Sequence, residues 1–212
     1  MNLSLQNKII PVSYGAKGTG QAITKLLAAE GAIPVIIGSN EEDNLKTVDE
    51  IKSAGGQCAY IVAELTNTDE CKNAIDQVMQ SFGRIDGLVN NADINGEIES
   101  GQNEYVKFVE SLYKNLVPYY LLAHYALPAL KISKGAIVNI ASQTTDSGGK
   151  NALAREWSVE LLKYSIRVNA VVADNHTTTA DEIANMVAFL LSERASHTTG
   201  QIIHLDRALA NA

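Results

Sequence analysis

Short apolar runs rich in β-branched residues alternate with longer segments of helical period from one end of the chain to the other. The runs are KIIPVS (8–13), IPVIIG (33–38), CAYIVAE (58–64), IDGLVN (85–90), GAIVNIAS (135–142), IRVNAVVA (166–173) and QIIHL (201–205). Between them the 3.6-residue period predicts helices over Thr19–Glu30, Glu42–Ala54, Thr68–Phe82, one long helix from Glu104 to Leu130, Asn151–Tyr164 and Thr179–Arg194. In the second helix Leu45, Val48, Ile51 and Ala54 recur every three residues, which predicts one buried stripe on an otherwise charged surface. Strands that are apolar on both faces and separated by helices cannot pair as hairpins. They predict an α/β fold: a doubly wound parallel sheet of about seven strands in three layers, with right-handed crossovers placing helices on both faces. No repeat or low-complexity linker interrupts the alternation, so residues 1–212 read as a single domain.

One connection carries chemistry. Residues 12–20 read VSYGAKGTG, a glycine-rich turn directly after the first strand and directly before the first helix. Glycines there let backbone N–H groups approach a pyrophosphate, and the helix beyond offers its positive end to the phosphate charge. In that context the turn predicts a Rossmann-type dinucleotide site, with a tight ligand-free connection as the alternative.

Composition narrows the partners. The 212 residues are 46% hydrophobic and 19% charged, enough apolar surface for a sizeable core. A formal charge of −7, spread along the chain, argues against nucleic acid or an anionic membrane. No apolar stretch approaches the roughly twenty residues that span a bilayer, and the N-terminus lacks a signal-type pattern, so the expectation is a soluble, cytoplasmic protein. Two cysteines, Cys58 and Cys71, without ligand spacing, read as reduced core residues. His124 lies in an apolar helical run and reads as packing, while His176, His197 and His204 have no ligand-spaced partner. No metal site is expected.

The sequence resembles the short-chain dehydrogenase/reductase family, whose turn reads TGxxxGxG. Ser13 stands for the threonine, Gly15 fills a variable position, and Gly18 and Gly20 match the last two glycines, but Tyr14 takes the place of the first. IDGLVNNAD, with Asn91 and Ala92, is similar to the family's NNAG motif with Asp93 for its glycine; Glu64 matches an acidic position that contacts adenine, or is simply a solvated charge at a strand end. Asn115 in YKNLVPYY matches the helical asparagine that supports a proton-relay water, and Ser142 in GAIVNIAS the serine that orients the substrate carbonyl. The resemblance continues through IRVNAVV to TTGQII. The REW segment around Trp157 and the HLDRAL ending look most like a branch that oxidises L-fucose and related sugars. The family implies NAD or NADP as cofactor, hydride transfer to or from a sugar or secondary alcohol, and a homo-oligomer paired through the 104–130 and 151–164 helices. For the coenzyme, Gly38 and Ser39 are neutral and Glu41 and Glu42 follow, which favours the free 2′-hydroxyl of NAD on charge.

The family's reactive pair, a tyrosine with a lysine four residues on, is missing. None of the eight tyrosines has that lysine, and Ser142 and Trp157 are too close for the usual intervening segment. Lys150 survives nearby, in a register expected to turn it away from the family lysine's place. The turn after Val172, the substrate loop, here ADNHTT, and the turn after Ile203 are also curtailed. Three readings stay open: an oxidoreductase whose loops are missing from this sequence, an inactive relative serving as a nucleotide-binding or interaction scaffold, and a folded domain without a ligand.

Overall fold

A computed structural model describes residues 2–91, 104–142, 147–173 and 178–205. In chain order the elements are β1 (Ile9–Ser13), α1 (Gly18–Ala29), β2 (Ile33–Gly38), α2 (Glu41–Ser53), β3 (Ala59–Val62), α3 (Thr68–Phe82), β4 (Gly87–Asn90), α4 (Glu104–Asn115), α5 (Val117–Ser133), β5 (Ala136–Ser142), α6 (Ser147–Glu160), β6 (Arg167–Ala173), α7 (Ala180–Leu191) and β7 (Ile202–Leu205). The seven strands form one sheet in the order β3-β2-β1-β4-β5-β6-β7. Every pairing is parallel. The α/β, Rossmann-type, doubly wound architecture expected from the alternation is therefore the observed one.

Alternate strand residues feed opposite faces. Ile9, Val35, Leu88, Ile137 and Val168 pack with α3, α5 and α6, whereas Ile10, Val12, Val89, Val138 and Val171 pack with α1 and α7. A smaller cluster holds α2 to the outer strands through Ile36, Val48 and Ile51. Two prolines sit inside strands, and the ladder tolerates both. Ile9 exchanges its backbone bond with Asp86 and Tyr14 with Ile37, so by alternation the missing N–H of Pro11 faces β4, whose pairing with β1 is confined to Val12–Val89.

Three details differ from the periodicity. The long helix is two: α4 ends at Asn115 and α5 starts at Val117, with Leu116 at φ −112° and Pro118 in the first turn of α5. Proline removes the N–H that a continuous helix would bond to the carbonyl four residues back, and its ring crowds that carbonyl. The helix predicted to begin at Asn151 starts at Ser147 and stops at Glu160, its tail continuing as a 3₁₀ turn over Leu162–Tyr164. On α2 the buried stripe is Asn44, Thr47, Val48 and Ile51, while Leu45 is 45% exposed and Ala54 is exposed. Hydrogen bonds, described below, decide that inward face.

Asp86 anchors the opposite end of the sheet. Its side chain is 3% exposed, accepts the Ile9 N–H at 2.9 Å and pairs with Arg84 and, at 3.9 Å, Lys8. Asp86→Ala leaves that buried N–H without its acceptor; an unsatisfied buried donor costs about 1–3 kcal/mol, read as a lower urea midpoint at unchanged slope.

Both cysteines are free and buried. Burial pushes the Cys71 thiol up to about 11, helped by Glu70 and Glu64, and the Cys58 thiol up to about 12 against a small opposing pull from Lys52. An unfolded thiol loses its proton near pH ~8.5. The folded chain holds these protons longer, so their contribution to stability is intact below that pH and is lost as the pH rises towards 11 and 12. The native protein should be inert to a thiol-specific disulfide reagent at mildly alkaline pH and react at both cysteines in urea, and replacing both with alanine should flatten the alkaline loss of stability.

Candidate active site

The strand order reverses between β1 and β4: the chain moves outward from β1 to β2 and β3, then returns to β4 on the other side. Such a switch point leaves a crevice outside the carboxyl ends of the strands. The β1–α1 turn lies at its edge.

The turn is built by side chains reaching backbone carbonyls. Thr24 Oγ lies 2.9 Å from the carbonyl of Gly15 and 2.8 Å from that of Gly20. Thr47 Oγ donates to the Ala16 carbonyl at 3.1 Å and accepts from Gln21, and Asn44 donates to the Gly38 carbonyl at 2.8 Å. These bonds explain the polar inward face of α2: it braces the turn as well as covering the sheet. On the other side, Asn91 N–H donates to Ser13 Oγ at 2.8 Å, and the Asn91 amide reaches the carbonyls of Ser13 and Tyr14 at 3.3 and 3.4 Å. A Cβ on Gly20 would overlap the Tyr14 carbonyl and lie 2.5 Å from the Asn91 amide nitrogen, so only glycine lets α1 start this close to β4.

Gly18 has the opposite environment. It adopts φ +50°, and a Cβ there would meet nothing within 4 Å. It opens α1, whose cap residue Lys17 makes no side-chain cap and whose first turn has no acidic residue; Lys17 instead pairs with Asp43 at 2.7 Å. Unclaimed helix-start amides, a positive helix end and open space fit a phosphate.

The base end fits differently. Tyr14 adopts φ +48°, its ring packs against the core cluster that includes Leu65 and Cys71, and its Oη is buried without a hydrogen-bond partner among the described residues. Burial, with the charges of Glu64 and Cys71 beside it, holds the phenol protonated well above the ordinary tyrosine range.

The sequence-predicted residues divide accordingly. Gly15, Gly18 and Gly20 form the turn. Ser13 and Asn91 are buried and tie β1 to β4. Ser39 is exposed just past β2. Glu64 is exposed and folds back onto Thr66, accepting its N–H at 3.2 Å and its hydroxyl at 3.0 Å. Asn115 is buried at the end of α4, donating to Ser111 at 3.3 Å. Ser142 closes β5 opposite Ala173; its side chain, like Ala92 and Asp93, lies outside the described residues. His124 is an exposed ring stacked on Tyr120 at 5.7 Å rather than a core residue.

Lys150 of α6 is buried. It is 2% exposed, turned inward with Nζ 5.0 Å from the centre of the Tyr119 ring, and the Tyr119 hydroxyl donates to the Ile140 carbonyl at 2.7 Å. The lysine therefore lies over a ring that is bonded to Ile140 of β5, the strand that ends at Ser142.

Residues 8–186 match the family model described as short chain dehydrogenase. The chain belongs to that family. Among curated relatives, the 3-oxoacyl-[acyl-carrier-protein] reductase FabG of Thermotoga maritima is 29% identical over an alignment of 254 residues, covering 98% of this chain and 99% of the relative. Cyclohexanol dehydrogenase of an Acinetobacter species is 28% identical, with 98% and 97% covered. An alignment of 254 residues against a chain of 212 contains gaps within the chain, in keeping with the curtailed segments. Of solved structures, the Cj0485 dehydrogenase is 31% identical, covers 99% of each chain and superposes with a TM-score of 0.87. The fold is shared, at 24% identity, with an NADH-dependent reductase complexed with NAD (TM-score 0.89; 98% of each chain). At 20% identity it is shared with an L-sorbose reductase from Gluconobacter frateurii complexed with NADPH and L-sorbose (TM-score 0.90; 100% of each). Reductases of several substrates appear side by side, and the sugar branch suggested by the REW and HLDRAL segments is not singled out.

The two glycines should respond differently to alanine. Gly20→Ala forces the turn apart and should cost about 1–3 kcal/mol of stability in urea unfolding. Gly18→Ala should cost only about 1–2 kcal/mol, the price of the left-handed backbone, while weakening dinucleotide binding in calorimetry.

Proposed function

We propose that this short-chain dehydrogenase is an NAD(P)-dependent oxidoreductase that moves a hydride between a nicotinamide and a secondary alcohol or sugar hydroxyl. The observation that carries the reading is the β1–α1 turn: Gly18 open to solvent, Gly20 pressed against β4, and α1 starting without a cap or an acid. Bound there, the cofactor supplies the hydride acceptor or donor. The chain's own residues do the rest. Helix-start amides hold the pyrophosphate, Ser39 at the end of β2 meets the ribose, and the acidic first turn of α2, Glu41, Glu42 and Asp43, disfavours a 2′-phosphate and so favours NAD. Glu64, Asn91 and Ala92 border the adenosine side. Ser142 orients the substrate oxygen, Asn115 positions a proton-relaying group, and the Lys150 ammonium supplies positive charge to the same strand end. The substrate is a small molecule, a sugar being the specific expectation, and no helix among the described residues is long and apolar enough to cross a membrane. The working unit in this reading is a cytoplasmic homo-oligomer joined through α5 and α6, whose outer residues Tyr120 and Val159 are exposed apolar groups, as is Leu162 in the 3₁₀ turn that follows.

A second reading has its own observation. No tyrosine has a lysine four residues on, and the Tyr119 hydroxyl is already committed to the Ile140 carbonyl. A nucleotide-binding scaffold without turnover answers to that.

Purified full-length chain should change nicotinamide absorbance when given NAD or NADP with a panel of secondary alcohols and aldoses, or the reduced cofactors with the matching carbonyls. Ser142→Ala and Lys150→Met should each lower kcat about 100-fold, the scale of one positioned acid–base group. Cofactor binding by calorimetry with no turnover across the panel gives the scaffold reading instead.

A further inference from the structure

Tyr14 carries two unfavourable features at once. A bulky residue at φ +48° occupies backbone space that glycine takes freely, and a hydroxyl sits buried with no hydrogen-bond partner among the described residues. A side chain held this way is held by its surroundings. Those surroundings are known: the Tyr14 N–H donates to the Ile37 carbonyl at 2.7 Å, its Cα lies 3.8 Å from where a Cβ on Gly38 would stand, and the ring packs against the cluster containing Leu65 and Cys71. The phenol therefore points from the phosphate turn towards the carboxyl ends of β2 and β3. In a sheet of this topology that is the direction a dinucleotide's adenosine takes: the pyrophosphate rests on the start of α1, the ribose passes the end of β2, and the base lies beyond.

Resting on the dinucleotide reading above, we propose that the Tyr14 ring closes the base end of the crevice, making Tyr14 a specificity-determining residue that disfavours adenine-bearing ligands relative to phosphate ligands without adenine. Glu64 supports the same state, since its carboxylate is turned onto Thr66 instead of into the crevice. An adenine dinucleotide enters only by swinging the phenol out of its packing, so its apparent affinity is the intrinsic one multiplied by the small fraction of chains in the open form. A nicotinamide mononucleotide, which has a phosphate and no adenine, meets no such obstacle.

The test is calorimetric titration of the wild-type chain, Tyr14→Gly, Tyr14→Ser and Tyr14→Phe with ADP, NAD and nicotinamide mononucleotide. Tyr14→Gly and Tyr14→Ser each empty the space, so misfolding of one leaves the other. Both should bind ADP and NAD at least ~10-fold tighter than wild type with mononucleotide affinity unchanged, and Tyr14→Phe should behave as wild type because the ring is the obstacle. ADP affinity that does not rise in either emptied variant, or that rises equally in Tyr14→Phe, overturns the proposal. Turnover with unchanged ADP affinity would remove the plug and keep the oxidoreductase; tighter ADP binding without hydride transfer to any substrate would keep the plug and remove the oxidoreductase.

Discussion

The closeness of α1 to β4 is the constraint on which the rest depends. Gly20 has its α-carbon where any side chain would strike the Tyr14 carbonyl and the Asn91 amide. Because that space is filled by backbone, Asn91 can reach both Ser13 and Tyr14, and the Ser13 hydroxyl can accept the Asn91 N–H. β1 and β4 share only one register pair, Val12 with Val89. Side-chain hydrogen bonds at the carboxyl end, and Asp86 on the Ile9 N–H at the other, therefore hold the seam where the strand order reverses. A crevice needs its two walls fixed at their bases, and here that is done with polar groups, each in a buried place where losing a partner is costly.

The same logic explains α2 and α6. Asn44 and Thr47 face inward although a purely apolar stripe was available through Leu45, because carbonyls of the β1–α1 turn and of Gly38 need donors and water does not reach them. On α6 the buried Lys150 rests over the face of Tyr119, a ring whose hydroxyl is spent on Ile140. An aromatic face is one of the few apolar surfaces that attracts an ammonium group. Burying a lysine to this extent takes charge out of water, which a fold tolerates only where the ammonium finds such partners.

Sequence periodicity captured what depends on local pattern. Every strand run contains an observed strand, and the glycine turn lies between β1 and α1 because glycine spacing and the strand-to-helix context are both written locally. What escaped was set by tertiary partners. Pro118 divides a segment whose apolar pattern runs on unbroken, so periodicity alone merges α4 and α5. Leu45 looks buried by spacing and is not, because two hydrogen-bonding residues take the inward face. The burial of Lys150 over Tyr119 is likewise not written in its register, because a long flexible side chain reaches wherever its stem can be covered. Buried asparagine and threonine on a charged helix were the signal available for the turn's bracing, and they are ambiguous without the carbonyls they serve.

The contrast between the two ends of the crevice follows from how the fold distributes its tasks. The strand registers are set by backbone pairing within the sheet, and the two larger core clusters are built mainly from strand and helix residues, so segments beyond the strand ends can shorten without unpairing the sheet. The phosphate turn is different, because it is also a structural corner: Thr24, Thr47 and Asn91 need its carbonyls whether or not a ligand is present. Folding alone therefore preserves Gly20. At Gly18 packing is indifferent, since a Cβ would meet open space and only the left-handed backbone favours glycine, and nothing in the backbone asks for an aromatic ring at the strained position of Tyr14. A glycine kept where packing is indifferent, beside a tyrosine placed where the backbone resists it, means that the two halves of the crevice answer to different demands. At one, helix-start amides face open space; at the other, a phenol ring packs against the core.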